Sequence, residues 1–215
     1  MASSRSLRLT VLMDTPTSWI VPFGRQLQDE LVRLGHYVRA IHRASDLAAG
    51  DIAFFLGCQK IVPREALGLH AHNLVVHESA LPRGRGWSPL TWQILAGAAR
   101  IPVTLFEAAE SVDSGAVYFQ ETIVFEGHEL VDELRAQQGR ATIELAKRFV
   151  DAYPHVTGRP QTGEASYFPR RTPKDSELDP TKTLEQLFDQ LRVVDNDRYP
   201  AFFRHRGHTY ELTIR

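Results

Sequence analysis

The fold of this chain is decided by the stretch from Asn73 to Gly115, in which two apolar runs each lead into a polar loop. The first run and its loop read Leu74-Val-Val-His77-Glu-Ser-Ala-Leu-Pro-Arg-Gly-Arg-Gly-Trp87-Ser-Pro-Leu-Thr-Trp92. The second run covers residues 101–106 and leads to Glu110-Ser-Val-Asp113-Ser-Gly115. Open α/β sheets build active sites in this way, with a histidine at the carboxyl end of one strand and an aspartate just past another. The stretch predicts an α/β fold with His77 and Asp113 as the catalytic pair.

Length and composition suit one α/β domain with a small appendage, since the chain has 215 residues. Its 25 basic and 26 acidic side chains nearly cancel, so no overall field favours nucleic acid or an anionic membrane. Cys58 is the only cysteine, which rules out an intrachain disulfide and fits a reducing, intracellular setting. No apolar stretch approaches the roughly 20 residues of a membrane span, and the polar segment 1–6 precedes no apolar signal region. We expect a soluble cytoplasmic protein without nucleic-acid or membrane partners.

Strand and helix patterns alternate through about residue 150, which is typical of a Rossmann-like, mainly parallel twisted sheet. Strands are predicted over residues 7–13, 37–41, 51–56, 73–76, 102–106 and 116–124. Helices are predicted over residues 20–34, 89–96 and 129–150, with a helical turn at 63–67. We therefore assign residues 1–152 to a catalytic domain.

The amino-acid composition changes after residue 152, so residues 153–215 are assigned to a linker and a small C-terminal subdomain. Residues 153–173 are rich in Pro, Gly, Thr and Ser and predict a surface excursion. A short helix over 184–191 and a β-hairpin formed by 199–203 and 208–214 complete the extension. Tyr199, Phe202 and Phe203 either stack on a base or pack in the core, and the core is favoured.

The loop after His77 offers groups that suit a substrate. A lone histidine is more often a surface or capped residue, but here its neighbours raise the weight of a functional role. Arg83 and Arg85 lie in a glycine-rich turn and either meet phosphate oxygens or belong to a solvated loop. Trp87 adds aromatic surface. Asp113 alone most often marks a turn, but paired with His77 it becomes an acid/base couple.

The segment from Asp14 to Ser18 follows the first strand and opens a helix, where backbone amides can hold an anion. Plain N-capping is at least as good an interpretation. The segment lacks the glycines of a dinucleotide fingerprint, which excludes that class.

The remaining reactive side chains predict no metal site. His70 and His72 are interpreted as loop histidines, because nothing near them has the spacing of a zinc motif. Cys58 is interpreted as a small buried residue rather than a nucleophile.

Several segments together resemble the folate-dependent formyltransferase superfamily, which includes methionyl-tRNA, glycinamide ribonucleotide and sugar N-formyltransferases. The matching segments are His77-Glu-Ser-Ala-Leu-Pro82, Gly86-Trp-Ser-Pro-Leu-Thr-Trp92, Val112-Asp-Ser-Gly115, Phe55-Leu-Gly-Cys-Gln-Lys-Ile-Val-Pro63 and Arg171-Thr-Pro-Lys-Asp-Ser-Glu-Leu-Asp179. A further segment, Leu191-Arg-Val-Val-Asp-Asn-Asp-Arg-Tyr-Pro-Ala-Phe-Phe203, is similar to the branch found with pseudaminic-acid-type sugar pathways. The tRNA enzymes carry a larger C-terminal domain than this chain has room for, so a sugar enzyme is expected.

The resemblance implies a Rossmann-like formyltransferase domain that uses N10-formyltetrahydrofolate as co-substrate. The acceptor would be the amino group of a nucleotide-linked, UDP-type, 4-amino-4,6-dideoxy sugar. His77 would donate to the oxyanion or accept the amine proton, and Asp113 would orient His77 and help to move the proton. The residues implied in pterin binding are Gln59, Lys60, Val62, Ala109 and Glu110. The residues expected to bind the acceptor are Asp14, Ser18, Arg83, Arg85 and Trp87.

One position departs from the superfamily pattern, which has an asparagine two residues before the histidine. Here that position is Val75. Asn73 shares its strand face but lies roughly 6–7 Å farther back. Glu78 replaces a frequent proline and could take part instead. Asn73 and Glu78 are therefore candidates for catalytic support, with the hypothesis that His77 and Asp113 are essential and Asn73 is dispensable.

Two alternatives stay open. The acceptor could be a different small amine, such as a purine precursor or a peptide-synthesis intermediate. The chain could also be a folate-binding or sugar-nucleotide-binding protein in which Val75 marks lost catalysis. A homodimer is a further expectation from the resemblance.

Overall fold

The computed structural model describes residues 6–215, so nearly all of the polar N-terminal segment 1–6 lies outside the described residues. Its strands are β1 (Arg8–Leu12), β2 (Tyr37–Ile41), β3 (Gly50–Phe55), β4 (His70–His77), β5 (Arg85–Gly86), β6 (Arg100–Glu107), β7 (Val117–Val124), β8 (Tyr167–Phe168), β9 (Ala201–His205) and β10 (His208–Leu212). Its α-helices are α1 (Val21–Arg33), α2 (Arg64–Leu67), α3 (Pro89–Leu95), α4 (Val131–Ala152) and α5 (Leu184–Arg192).

A six-stranded sheet in the order β2-β1-β3-β4-β6-β7 forms the centre of the fold. The first four of these strands are mutually parallel, and β6 runs antiparallel to both of its neighbours. The continuous apolar run of β3 is buried, with Ile52, Ala53 and Phe54 fully covered. Such a run is expected of a strand that is packed on both faces. The predicted Rossmann-like, mainly parallel α/β fold is confirmed.

The direction of β6 changes how His77 and Asp113 are brought together. In the β4–β6 register, His77 pairs with Thr104, whereas Leu74 pairs with Glu107. The chain therefore leaves β6 on the amino-terminal side of His77. Asp113 does not share a strand end with His77, and loop 108–116 must return to reach it. His77 and Asp113 lie close together as expected, but not because they follow the carboxyl ends of two parallel strands.

Helices α1 and α4 cover one face of the sheet with apolar stripes at helical spacing. Leu27 and Leu31 of α1 and Phe149 of α4 belong to the main core. Gly139 lets the two helices approach, because a Cβ at this position would lie 2.3 Å from the ring of Phe23. Among the described helices, none is both long and apolar enough to cross a membrane.

The C-terminal extension has its own small apolar cluster, built around Leu187 and Leu191 of α5 and Ala201 of β9. It joins the rest of the chain through Val193, which belongs to the main core, and through charged contacts. Arg192 and Glu129 form a buried pair with Nη2 and Oε2 3.2 Å apart. The predicted helix and hairpin are present as α5 and β9–β10. The boundary at residue 152 stays a prediction.

His70 and His72 are strand residues, so their assignment to a loop was wrong. The parallel register of β3 and β4 begins with the pair Gly50 and His70, which extends β4 beyond its apolar part. The side chain of His72 lies 3.1 Å from Glu107 Oε2, and that of His70 lies 3.1 Å from Thr10 Oγ1. Pairing with the neighbouring strand outweighs the polar composition here.

Candidate active site

A cavity of about 540 Å³ lies at the carboxyl end of β4. Its volume is within the range of about 300–1,000 Å³ that ligand sites occupy. One side is an apolar slot lined by Val62, Leu67, Val75 and Ala108. The opposite side is lined by polar groups of α4 and of the C-terminal extension. The cavity thus contacts both faces of the sheet where β4 ends.

His77 stands between these two sides and is only 6% exposed. Its Nε2 lies 2.8 Å from the carbonyl oxygen of Gly84. Because a carbonyl only accepts hydrogen bonds, we assign the hydrogen to Nε2. Within residues 6–215 no hydrogen bond is found for Nδ1, which is therefore the nitrogen left to face a substrate.

Asp113 lies beside His77 without hydrogen bonding to it, since Oδ2 and Nε2 are 3.8 Å apart. Asp113 Oδ2 instead accepts a hydrogen bond of 2.8 Å from the amide of Gly86. The expectation that Asp113 orients the imidazole is therefore corrected in this geometry, because the carbonyl of Gly84 does so. Asp113 supplies a negative charge within ion-pair distance of the imidazole.

Gln161 holds the loop that carries Asp113. Its Nε2 donates to the carbonyls of Asp113 and Gly115 at 2.8 and 2.9 Å, and its Oε1 accepts from Arg85 at 2.6 Å. Gly115 is itself pressed against β6, where a Cβ would lie 1.8 Å from the carbonyl oxygen of Glu107. Asp113 is thus placed by a backbone clamp and by a close approach that only glycine permits.

The segment predicted to be a surface excursion is largely exposed, as expected, and it also contributes this clamp. Its strand β8 pairs with β5, and Ser166 Oγ accepts a hydrogen bond of 2.9 Å from the amide of Gly84. The same backbone stretch presents the Gly84 carbonyl to His77 and the Gly86 amide to Asp113. A composition rich in Pro, Gly and Ser predicts a loop but does not reveal what the loop contacts.

For the formyl transfer that the resemblance implies, replacing Gln161 by alanine should lower kcat by about tenfold, because positioning errors of this kind raise the barrier for the chemical step. KM for the folate should change little, since Gln161 does not line the cavity. Steady-state kinetics are compared with those of Thr162→Ala, an exposed neighbour. Equal kcat in both variants would contradict a positioning role.

Glu78 brings a second carboxyl group to the cavity from the next backbone position. It is 8% exposed and lines the cavity. Burial is the main cause that raises the pKa of Glu78, and the neighbouring His77 and a hydrogen bond with Gln138 partly oppose it. A buried carboxyl with a raised pKa suits transfer of a proton near neutral pH.

All five residues implied in pterin binding line the cavity, namely Gln59, Lys60, Val62, Ala109 and Glu110. Asp14, assigned to the acceptor, has a different position. Its carboxylate accepts hydrogen bonds of 2.8 Å from the amides of both Gln59 and Lys60. Asp14 therefore shapes the pterin-side loop instead of contacting an acceptor.

The other residues assigned to the acceptor fall into two groups. Ser18 and Trp87 line the cavity, as a binding role requires. Arg83 is exposed and lies outside the cavity wall. Arg85 is also outside, where it binds Gln161 and stacks on Tyr167. The glycine-rich turn gives its backbone to the site and directs both guanidinium groups elsewhere.

Val75 and Asn73 occupy different surroundings along β4. Val75 is part of the apolar slot, so an amide is missing from the wall where the superfamily pattern has one. Asn73 does not line the cavity, and its Nδ2 donates a hydrogen bond of 2.8 Å to the carbonyl of Leu67. This geometry gives Asn73 a structural contact with α2 and no access to reacting atoms.

Sequence reasoning missed a set of cationic and aromatic residues that line the cavity. These residues are Trp19, Arg135, Arg170, Arg171, Arg198 and Tyr199. Arg171 and Arg198 had drawn attention only within segments that match a family pattern, and Tyr199 had been considered for stacking on a base. Tyr199, for which packing in the core was favoured, lies at the cavity instead, whereas Phe203 packs in the C-terminal cluster. These residues are plain in the sequence, but the sequence does not show that they line one cavity.

The described residues contain no cluster of three or more His, Cys, Asp or Glu side chains that could hold a metal ion. Cys58 lines the cavity, but burial raises the pKa of its thiol to about 12. A thiol with such a pKa is almost fully protonated near neutral pH and is a poor nucleophile.

This fold and site define a class of one-carbon transferases. The Formyl transferase family profile matches residues 25–145, which include His77, Glu78 and Asp113. The chain belongs to the formyl transferase family, whose members are folate-dependent N-formyltransferases that use formyltetrahydrofolate. The fold class and family expected from the sequence are confirmed.

Individual relatives agree with this assignment. Methionyl-tRNA formyltransferase from Thermus thermophilus is 32% identical over 166 residues, which are 74% of this chain and 52% of that protein. The chain thus spans about half the length of the curated relatives it matches. A methionyl-tRNA formyltransferase structure from Clostridium thermocellum has a TM-score of 0.79 and 21% identity, covering 94% of this chain and 89% of that one. A 4-N formyltransferase from Francisella tularensis has a TM-score of 0.71 and 18% identity, with 97% of both chains covered. HypX from Aquifex aeolicus, whose structure is described with tetrahydrofolic acid, has a TM-score of 0.76 and 19% identity, covering 95% of this chain and 37% of that one.

Proposed function

We propose that this chain transfers a formyl group from N10-formyltetrahydrofolate to the amino group of a nucleotide-linked 4-amino-4,6-dideoxy sugar. The observation that carries the proposal is the meeting of His77, Glu78 and Asp113 between an apolar slot and a wall of arginines. One side of the cavity suits a pterin and the other suits an anionic acceptor. The proton-handling groups lie where the two ligands would meet.

The residues present fit a folate on the apolar side. Val62, Leu67, Val75 and Ala108 provide a wall that can cover a flat ring. Asp14 fixes the loop at Gln59 and Lys60, so the backbone that leads to Val62 of the slot is pre-organised. Pre-organisation of this kind reduces the entropy lost on binding.

The bound folate would supply the formyl carbon, which gains a bond to the acceptor nitrogen and loses its bond to N10 while one proton moves from the amine to N10. His77 faces this transfer with Nδ1 while Gly84 holds Nε2. Protonated at Nδ1, it can donate to the formyl oxygen as negative charge develops there. The carboxylate of Asp113, 3.8 Å from Nε2, supplies a fixed negative charge beside the imidazole as it donates.

Glu78 takes the role of proton acceptor for the amine in this proposal. It follows His77 directly in the chain and lines the same cavity, and Gln138 of α4 hydrogen-bonds its carboxyl group. The raised pKa makes the carboxylate a stronger base than an exposed one. This assignment supplies a proton-handling group in a site where Val75 has removed an amide donor.

Replacing Glu78 by glutamine should lower kcat by about 10- to 100-fold, because the proton acceptor is lost while the shape is kept. The rise of activity with pH that Glu78 controls should disappear from the pH–rate profile. Glu121→Gln is the matched control, since burial also raises the pKa of Glu121, which lies outside the cavity wall. An unchanged acidic limb in Glu78→Gln would remove Glu78 from the scheme.

Stability gives the same substitution an independent readout. Because the folded-state pKa of Glu78 lies above its unfolded value, the folded protein holds the proton more tightly. This contribution to stability is fully present below the unfolded pKa and is lost as pH rises through the folded pKa. The difference between the Tm of Glu78→Gln and the Tm of the wild type should therefore shift in favour of the variant as pH rises through this window.

The choice of a nucleotide-linked sugar rests on three supports. Arginines and Tyr199 line the acceptor side of the cavity. The chain aligns over 97% of its length with a structure described as a 4-N formyltransferase. The segment from Leu191 to Phe203 is similar to the branch associated with pseudaminic-acid-type pathways. UDP as the nucleotide, a pseudaminic-acid-type pathway, a cytoplasmic setting and a homodimer complete the proposal.

The deciding assay incubates the protein with formyltetrahydrofolate and each of a panel of UDP-, dTDP- and GDP-linked 4-amino sugars, and follows the mass increase of one formyl group. Methionyl-tRNA and glycinamide ribonucleotide are the competing acceptors. Formylation of a sugar nucleotide alone supports the proposal. Formylation of another amine would replace the acceptor class, and folate binding without turnover of any amine would indicate a binding protein.

A further inference from the structure

Arg171 is a buried cation that has no carboxylate in direct contact within the described part of the chain. It is 8% exposed, yet no carboxylate lies within 4.0 Å of its guanidinium among residues 6–215. Its Nη2 donates to Ser176 Oγ at 3.2 Å, and its buried Nε has no hydrogen-bond acceptor in this part of the chain. A buried charge with an unsatisfied donor is costly unless a ligand completes it.

Two other arginines of the same region show how this protein pairs such groups. Arg192 is buried and bound to Glu129, and Arg135, which lines the cavity, contacts Asp195 Oδ2 at 2.5 Å. Arg171 lines the same cavity as Arg135. Asp175 and Asp195 act on Arg171 electrostatically from beyond contact distance, so a ligand in the cavity can still supply its direct counter-charge.

Neighbouring groups extend this positive surface. The guanidinium carbons of Arg171 and Arg198 lie 5.1 and 5.7 Å from the centre of the Tyr199 ring. Arg170 lies over Trp87, with its guanidinium carbon 4.9 Å from the ring centre. Like charges around one ring repel unless an anion lies between them. The three cations at residues 170, 171 and 198, with Tyr199 and Trp87, are called the arginine wall below.

We infer that the arginine wall binds the diphosphate of the acceptor, an inference that rests on the proposed function. Guanidinium groups match phosphate oxygens in bidentate geometry, and a diphosphate offers the multiple acceptors that several arginines need. The rings of Tyr199 and Trp87 provide flat surfaces beside the cations. The C-terminal extension thus supplies the anionic handle by which the acceptor is held.

The glutamate tail of the folate is a second source of anionic oxygens, but its expected position differs. The residues implied in pterin binding belong to the loops after β3 and β6, whereas the arginine wall comes from residues 170–171 and 198–199 and from Trp87. The cationic surface therefore belongs to the side of the cavity opposite the apolar slot. The acceptor phosphates are the better match.

The test measures binding of UDP, inorganic pyrophosphate and 5-formyltetrahydrofolate by calorimetry for wild type, Arg171→Lys, Arg198→Ala and the control Arg25→Ala, an exposed residue of α1. Arg171→Lys keeps the charge but loses the bidentate fork, and Kd for UDP and pyrophosphate should rise about tenfold. Arg198→Ala, at an exposed position, should raise it about threefold to tenfold even if Arg171→Lys folds poorly. Binding of 5-formyltetrahydrofolate should stay unchanged.

Each outcome bears on one claim. Weakened 5-formyltetrahydrofolate binding with unchanged UDP binding would assign the arginine wall to the folate tail and overturn the inference. Unchanged binding of all probes in both variants would make the arginines structural and also overturn it. If UDP binding depends on Arg171 but no sugar nucleotide is formylated, the proposed function fails while the anion site stands.

Discussion

Replacing His77 by alanine is expected to lower kcat/KM for formyl transfer by about 10³-fold, the middle of the range for loss of an acid/base group. The imidazole lies at the junction of the two sides of the cavity, with Gly84 holding Nε2 and Nδ1 left for the substrate. Alanine keeps the backbone pairing with β6 and removes only the proton-carrying group. The loss should appear in kcat, because folate-side residues are untouched.

Asn73→Ala is the matched control, since Asn73 is another buried residue of β4. It should retain kcat and lose about 1–3 kcal/mol of unfolding free energy, because the carbonyl of Leu67 loses its donor. Thermal unfolding and single-turnover formylation separate the two effects. Near-wild-type turnover in His77→Ala, or a kcat loss in Asn73→Ala matching that of His77→Ala, would overturn the assigned roles.

Replacing Asp113 by asparagine is expected to lower kcat by about 10²-fold with little change in Tm. The amide oxygen can still accept from Gly86, and asparagine tolerates the left-handed backbone at this position, where φ is 51°. What disappears is the negative charge 3.8 Å from His77 Nε2. The comparison therefore separates the effect of this negative charge from the effect of the loop geometry.

A double variant adds a second measurement for Asp113→Asn. In the single variant, the imidazole of His77 loses the negative charge that lies 3.8 Å from its Nε2. If Asp113 acts through His77, the double variant with His77→Ala should be no slower than His77→Ala alone. Additive losses in the double variant would show that Asp113 acts independently of His77.

Much of the sheet was predictable because buried positions show up in the sequence as apolar runs or as apolar residues at helical spacing. The apolar run of β3 and the stripe of Leu27 and Leu31 in α1 record which faces must avoid water. These local patterns predicted the order of strands and helices and their approximate bounds. They do not contain the direction of a strand, so the antiparallel β6 was not predicted.

The site was predictable where function requires a particular residue at a particular point in the chain. His77 and Asp113 stand out because strand ends and tight turns place polar groups at a cavity. Asp14 and Arg85 were wrongly assigned to the acceptor, because the sequence alone does not show where a charged side chain in a loop points. Asp14 binds backbone amides, and Arg85 binds Gln161.

The sequence by itself determined the α/β architecture, the family and the strand-end position of His77, because each depends on residues that are neighbours in the chain or share one periodic face. Only the tertiary structure decided that Gln161 clamps the loop of Asp113 and that, among residues 6–215, no carboxylate directly contacts the buried Arg171. Those contacts join segments far apart in sequence, and their energies depend on distances and burial that no local pattern records. The stretch from Asn73 to Gly115 therefore identifies the chemistry, and the packing of the C-terminal extension against it shapes the acceptor site.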